Sequence, residues 1–533
     1  MGTLYSNGTI YTMEATGSIV EAVYVSEGKI VATGSKKELV STFQEELTEE
    51  VDLCGHTMFP GFVDSHMHLI GFGETLISRD LSAFTSQESM LHYLKREVSA
   101  APEGTWIIGE GWNENQFPDA AIPTLQALDA LSTKHPIFLS RICRHSFIVN
   151  SQALQLAGIT KETPQPEGGV IVRNERGEAT GLLLDGAGDL VKRVIPKPSP
   201  AYLDHALHAG ISKLISYGLT GCHTEDLSYY GGFERTYAAF ERFFLTANIP
   251  FNIHLLIHHR VVDDYCQSKK ASSPYLEGGA MKIFSDGAFG GRTALLEQPY
   301  EDDPTTSGVA IHTEEELSML VQKARKRGMA VAIHTIGDRS LSYVLKALRE
   351  HPPTSSLRDR VIHAGLVSDQ LLQEMQQLPL IIDVQPSFVT SDFPWLAKRL
   401  GPERTPYAFA FKTLLAHGLH CAGGSDAPIE SANPLEGIYA AITRKRPYDQ
   451  HGGYEPQECL TPFEAVSLYT SGSAYSIGHE KDRGYIKAGY DADFTVFDRD
   501  LLQCHVDEIV KANVMYTIVN NTIVYKREQA LLR

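Results

Sequence analysis

The chain has 533 residues, 43% of them hydrophobic and 21% charged, with a formal net charge of −18. That length allows one large domain with appendages or two to three domains, the composition is that of a soluble globular protein, and the acidic balance argues against a nucleic-acid partner. No apolar run approaches the ~18 residues of a membrane span, no basic-then-apolar leader opens the chain, and the seven cysteines are scattered without a Cys-x-x-Cys pair, so a cytoplasmic protein without a membrane partner is expected.

Residues 9–12, 19–26, 29–32 and 50–53 read as short strands broken by Asn-Gly and Glu-Gly turns. A matching set at 493–497, 514–519 and 522–525 closes the chain. The simplest arrangement joins residues 1–56 and 480–533 in one small β-sandwich, with 57–479 inserted between its halves.

From Phe59 onward, strands alternate with amphipathic helices, the pattern of a parallel α/β fold. Candidate strands are 58–63, 219–224, 251–257, 280–285, 329–334, 360–363, 380–385 and 419–424, and helical stretches at 203–217, 314–327 and 340–350 separate several of them. Eight strand–helix units predict a (β/α)8 barrel of the TIM type, whose chemistry sits at the carboxyl ends of the strands. The stretch from about 70 to 205 is too long for a loop. With strands at 106–109 and 137–140 and a helix start at 151–157, it reads as a folded insertion above the barrel mouth, able to shape a substrate pocket.

The first strand runs into Asp64-Ser65-His66-Met67-His68. Two histidines at i and i+2 on a strand point the same way, and neutral imidazole is a good ligand for zinc and its neighbours. Alone, the pair could equally be two surface histidines. Other strand ends supply Lys282, His334, His363 and Asp426, each closing an apolar run. Four histidines and an aspartate at converging strand ends predict a metal site. Asp426 could be a plain ligand, a proton acceptor, or both.

Further residues have two readings each. Asp338 could orient a ligand imidazole or cap the following helix. Asp286 and Arg292 could contact substrate or fix the loop after the fourth strand. Trp112 and His145 could face a pocket, or be a core tryptophan and a surface histidine. His254, His258 and His259 read as structural.

Pro60-Gly-Phe-Val-Asp-Ser-His66-Met-His68, Lys282-Ile-Phe-Ser-Asp286-Gly-Ala with Gly291-Arg292-Thr-Ala, His334-Thr-Ile-Gly-Asp338 and Gly424-Ser-Asp426-Ala-Pro resemble the strand motifs of the amidohydrolase superfamily. Arg483 to Asp493, and Arg144-His145-Ser146 with Val149-Asn150-Ser151 in the insertion, extend the likeness over nearly the whole chain. They point to the branch of large metal-dependent hydrolases that includes N-substituted formamide deformylase. The resemblance implies a site for one or two divalent ions, usually zinc with another metal possible, in which His66 and His68 bind a buried ion, His334 and His363 bind a more exposed one, and Lys282 bridges them as a carboxylated side chain. It also implies that Asp426 takes a proton from water and passes it to the leaving amine. The expected activity is hydrolysis of a non-peptide C–N bond, namely an amide, N-formyl or N-acyl amine, or a cyclic amide. The alternatives are deamination of an aminopurine or aminopyrimidine on the same barrel, and a non-catalytic scaffold. The expected partner is a small-molecule substrate, with a homodimer left open. Fold and ligand set do not name the substrate.

Overall fold

In the computed structural model, which describes residues 2–118, 120–141, 146–166, 169–269, 273–354 and 357–528, the strand–helix alternation becomes eight parallel strands. They are Phe62–Met67, Leu219–Thr224, Asn252–His258, Leu276–Phe284, Val331–Thr335, Asp359–His363, Leu380–Val384 and His420–Gly423, paired in that order. Several are buried along their whole length, as in Leu219–Thr224, Asp359–His363 and Leu380–Val384. Burial on both faces explains their apolar residues, and two of the polar ones, Arg360 and Asp383, pair with each other inside the barrel (2.8 and 2.9 Å). The first and eighth strands meet just past their ends, where the Asp426 N–H donates to the His66 carbonyl (2.7 Å) and the His68 N–H to the Ala427 carbonyl (2.8 Å).

The connecting helices carry their own signals. Glu314–Lys326 starts at Thr313, whose side chain and that of Glu316 form a capping box, with Glu314, Glu315 and Glu316 in the first turn and Lys323, Arg325 and Lys326 in the last. Both ends complement the helix dipole. Its buried residues Leu317, Val321 and Ala324 recur on one helical face.

The first barrel strand begins later than its sequence suggests. Thr57–Pro60 pairs antiparallel with Phe494–Phe497 in the terminal sheet, and the barrel strand starts at Phe62. Gly61 makes the switch: its N–H donates to the Asp493 carbonyl (2.8 Å), and a Cβ there would lie 2.4 Å from Thr220 Oγ1. One apolar run thus serves two sheets, and His66 lies inside a strand rather than beyond its end.

Both chain ends enter that terminal sheet. It holds Gly2–Tyr11, Ile19–Ser26, Lys29–Gly34, Leu47–Asp52, Thr57–Pro60, Phe494–Phe497, Val514–Val519 and Thr522–Lys526. Its hydrogen bonds run through one continuous eight-stranded sheet rather than two separately bonded sheets. Strands from both ends share a core of Tyr5, Ile10, Val23, Val25, Met58, Phe494, Val496 and Ile518.

Residues 74–199 form a separate compact unit. Its six-stranded sheet runs Gly169–Arg173, Ala179–Asp185, Ser146–Val149, Ile137–Arg141, Ile107–Trp112 and Arg79–Asp80 in spatial order. Asn150, whose side chain accepts from the Ala153 N–H, caps the helix Ser151–Leu156. One core cluster contains Met90, Leu94, Ile107, Trp112, Ile137 and Leu139, and a second contains Phe138, Phe147, Ile171 and Leu183.

Candidate metal centre

The six residues picked out at the strand ends are brought together. His66 Nε2 lies 3.0 Å from Lys282 Nζ and 3.5 Å from Asp426 Oδ1, and His68 Nε2 lies 3.4 Å from the same Asp426 oxygen. One donor atom from each of His66, His68 and Asp426 falls within 4.8 Å of the others. The His334 and His363 rings are 4.6 Å apart, and the His363 ring is 6.0 Å from that of His66. Strand geometry accounts for this convergence, because each residue lies within a few positions of the carboxyl end of its strand, all at the same end of one barrel.

His66 Nε2 faces Lys282 and Asp426, but other polar atoms of the cluster lack a hydrogen-bond partner. His66 Nδ1, His363 Nε2 and Asp426 Oδ1 are buried and make no hydrogen bond. Buried polar atoms are ordinarily satisfied, so this cluster is built to meet something beyond the chain's own side chains. Burial, reinforced by neighbouring positive groups, holds His66 and His334 well below the usual imidazole range. Burial also brings His363 down to about 4. These rings are therefore neutral, with a lone pair free. His68 differs: burial opposes its charge, but Asp426, Glu225 and Asp226 outweigh it and raise the ring to about 9. A cation bound there displaces that proton. Neutral imidazoles with a carboxylate form a donor set that fits a divalent ion of the zinc type.

Lys282 is fully buried, with its Nζ 4.6 Å from the centre of the Phe284 ring, and burial lowers its amine to about 8. As an ammonium it has no lone pair to offer.

A second layer orients the imidazoles. His68 Nδ1 faces the Glu225 carbonyl (2.6 Å), His363 Nδ1 faces Gln385 Oε1 (2.7 Å) and His334 Nε2 faces the Gly287 carbonyl (3.1 Å). Each contact fixes a tautomer and turns the other ring nitrogen free. Sequence reading assigned none of these three. Gln385 and Glu225 follow barrel strands directly, so the rule that found the ligands would have found both had amides and carbonyls been counted.

Asp338 does not orient His334. It opens the helix Asp338–Glu350 and accepts from the Glu297 and Arg339 N–H groups (both 2.9 Å). Asp286 is buried and accepts from the N–H groups of Leu295, Ile336 and Gly337 (2.9, 3.0 and 2.8 Å), so it ties the loop after the fourth strand to the end of the fifth and has no oxygen to spare for substrate. Arg292 pairs with Asp302 through two hydrogen bonds (3.0 and 2.8 Å), the loop-fixing alternative. Trp112 is fully buried in the core of the inserted unit, where its Nε1 donates to the Leu139 carbonyl (3.3 Å), and it presents no face to a substrate. His145 lies outside the described residues.

An eight-stranded parallel barrel with four histidines, a lysine and an aspartate gathered at its carboxyl-terminal rim is the architecture of a hydrolytic barrel enzyme. A family model described as the amidohydrolase family matches residues 49–525. The chain is 50% identical over 533 residues to YtcJ of Bacillus subtilis, strain 168, covering 99% of this chain and 100% of that one. It is 27% identical to N-substituted formamide deformylase of Arthrobacter pascens, over 98% of each chain. Among solved structures, an uncharacterized metal-dependent hydrolase from Pyrococcus furiosus superposes with a TM-score of 0.80 at 28% identity, over 94% of this chain and 100% of that one. The chain belongs to the amidohydrolase family and is a hydrolase acting on carbon–nitrogen bonds.

Proposed function

We propose that the protein hydrolyses a non-peptide C–N bond of a small molecule, an amide, an N-formyl or N-acyl amine, or a cyclic amide, with one or two divalent ions, zinc first among them. The observation that carries this reading is the buried cluster of His66, His68, Lys282, His334, His363 and Asp426, in which His363 Nε2 and Asp426 Oδ1 make no hydrogen bond. Likeness to an N-substituted formamide deformylase over the whole chain supports the N-formyl end of the range.

Held by such a set, a divalent ion lowers the pKa of a water from 15.7 to about 7 and polarises a carbonyl oxygen. The chain's residues do the rest. Asp426 Oδ1, free of hydrogen bonds and within 3.5 Å of two ligand imidazoles, takes a proton from the attacking water and delivers it to the departing nitrogen. Its carboxyl is kept below the ordinary range because His68, His363 and Lys282 outweigh the effect of burial, so it starts the cycle as a base. Lys282 serves as its carbamate. With its amine lowered to about 8, part of it is neutral at pH 7, and the nitrogen lone pair adds to the carbon of CO2 with loss of one proton. That converts a buried cation into an anionic two-oxygen ligand. Glu225, Gln385 and Gly287 hold the imidazoles in place throughout.

The test is to load the protein with zinc and assay N-formyl and N-acyl amines, cyclic amides, esters and aminopurines. Turnover of amides is expected, falling about 10²–10⁴-fold in Asp426→Asn. Turnover of aminopurines alone would replace this reading with deamination, and full activity in Asp426→Asn would remove the proton shuttle.

A further inference from the structure

Glu225 stands directly after the second barrel strand, which is buried along its whole length and gives no reason for an acid. Its carbonyl accepts from His68 Nδ1 at 2.6 Å, and its carboxylate Oε2 lies 3.8 Å from the same nitrogen. The side chain is fully buried, yet neither carboxylate oxygen makes a hydrogen bond. The Tyr229 phenol stands beside it and is raised by burial and by the nearby Glu225 carboxylate. The next residue, Asp226, is equally buried but has a structural partner, since one of its oxygens accepts from the Thr224 hydroxyl (2.6 Å).

We infer that Glu225 is a positioning residue for the bound ion, acting through His68: its buried negative charge faces the ring edge opposite the one that reaches the metal. A buried carboxylate is costly unless a positive group meets it; in the metal-free protein the charged His68 ring, 3.8 Å away, meets it in part, and a bound ion would take over that part through the same ring. A cation on His68 Nε2 draws electron density through the ring and makes Nδ1–H more acidic, and the Glu225 charge behind Nδ1 stabilises that polarised state. Carboxylates and carbonyls behind ligand histidines act in this way on metal affinity. Here the carbonyl fixes the tautomer and the carboxylate supplies the charge.

The inference rests on the divalent-ion reading of the site, and its test separates the two. The full-length protein is stripped of metal and titrated with Zn2+ against a chelating dye, alongside Glu225→Gln and Glu225→Asp, and the metal-free forms are melted in parallel. Glu225→Gln should bind Zn2+ about 10–100-fold more weakly, while its metal-free melting temperature changes little, because the lost pairing with the His68 ring is offset by the lost burial of a charge. Glu225→Asp, which keeps the charge, should retain most of the affinity. Wild-type affinity in Glu225→Gln overturns the inference and leaves the metal reading intact. Weakened binding that appears only with a lowered metal-free melting temperature, or equal losses in both variants, overturns it in favour of a packing role. A wild-type protein that binds no Zn2+ overturns both.

Discussion

At the scale of single residues, the site separates into groups that meet an ion or water and groups that hold them there. Gln385 belongs to the second kind. Gln385→Leu leaves His363 Nδ1 without its acceptor and should lower metal affinity or activity about 10–100-fold, read by the same Zn2+ competition and by kcat. Asp286 is structural, and Asp286→Ala strands three buried N–H groups; a loss of about 3 kcal/mol in urea unfolding is expected. Away from the site, Glu277 Oε2 lies 3.0 Å from His479 Nε2 and 3.5 Å from His254 Nδ1, and His479 Nδ1 faces Asp482 (2.9 Å). The hydrogen bond with Glu277 leads the causes that raise His479 above 6.5. Burial opposes the charge of Glu277, but His254 and His479 outweigh it and hold its carboxyl below 4.5. The His479 contribution is therefore whole below pH 6.5 and fades as pH rises through its higher folded value. The Glu277 contribution is whole above pH 4.5 and fades as pH falls through its lower folded value. The melting temperature of wild type relative to Glu277→Gln should peak between pH 4.5 and 6.5; a difference independent of pH contradicts the pairing.

At the scale of elements, two glycines fix how the first barrel strand meets its neighbours. Gly61→Ala pushes a methyl group against Thr220 and should cost about 1–3 kcal/mol. Gly424→Ala, whose Cβ would lie 2.6 Å from the His66 nitrogen, should part the first and eighth strands, displace Asp426, and reduce turnover more than stability. The comparison of kcat with melting temperature for the two variants checks this. The eight barrel strands were legible because burial on both faces favours apolar residues in them, and the ligands because each lies near the carboxyl end of one. The boundary at Gly61 was not legible, since 57–60 and 62–67 are buried alike and differ only in which sheet bonds them. The orienting contacts of His68 and His334 were hidden for another reason: two of the three acceptors are backbone carbonyls, which any residue provides. Asp286 and Asp338 illustrate the reverse error. An acid near a ligand histidine suggests chemistry, whereas both oxygens of Asp286 and Oδ1 of Asp338 accept from backbone N–H groups.

At the scale of the molecule, His66, His68, Lys282, His334, His363 and Asp426 all lie in the unit formed by 1–73 and 200–533. Removing Trp112 from the core of the inserted unit should therefore destabilise that unit by about 3–5 kcal/mol while leaving Zn2+ stoichiometry unchanged, as read by urea unfolding and metal analysis of Trp112→Ala. Loss of bound metal in that variant would contradict the assignment of all the ligands to the barrel. The central claim is that an ion held by His66, His68, His334, His363 and Asp426 is required for hydrolysis of a C–N bond. Its most direct test is the rate of N-formyl amine hydrolysis by one preparation before stripping, after stripping with a chelator, and after adding back Zn2+ in measured equivalents. The account predicts no turnover in the stripped protein and recovery that saturates at one or two equivalents per chain. Undiminished turnover in the stripped protein would contradict it.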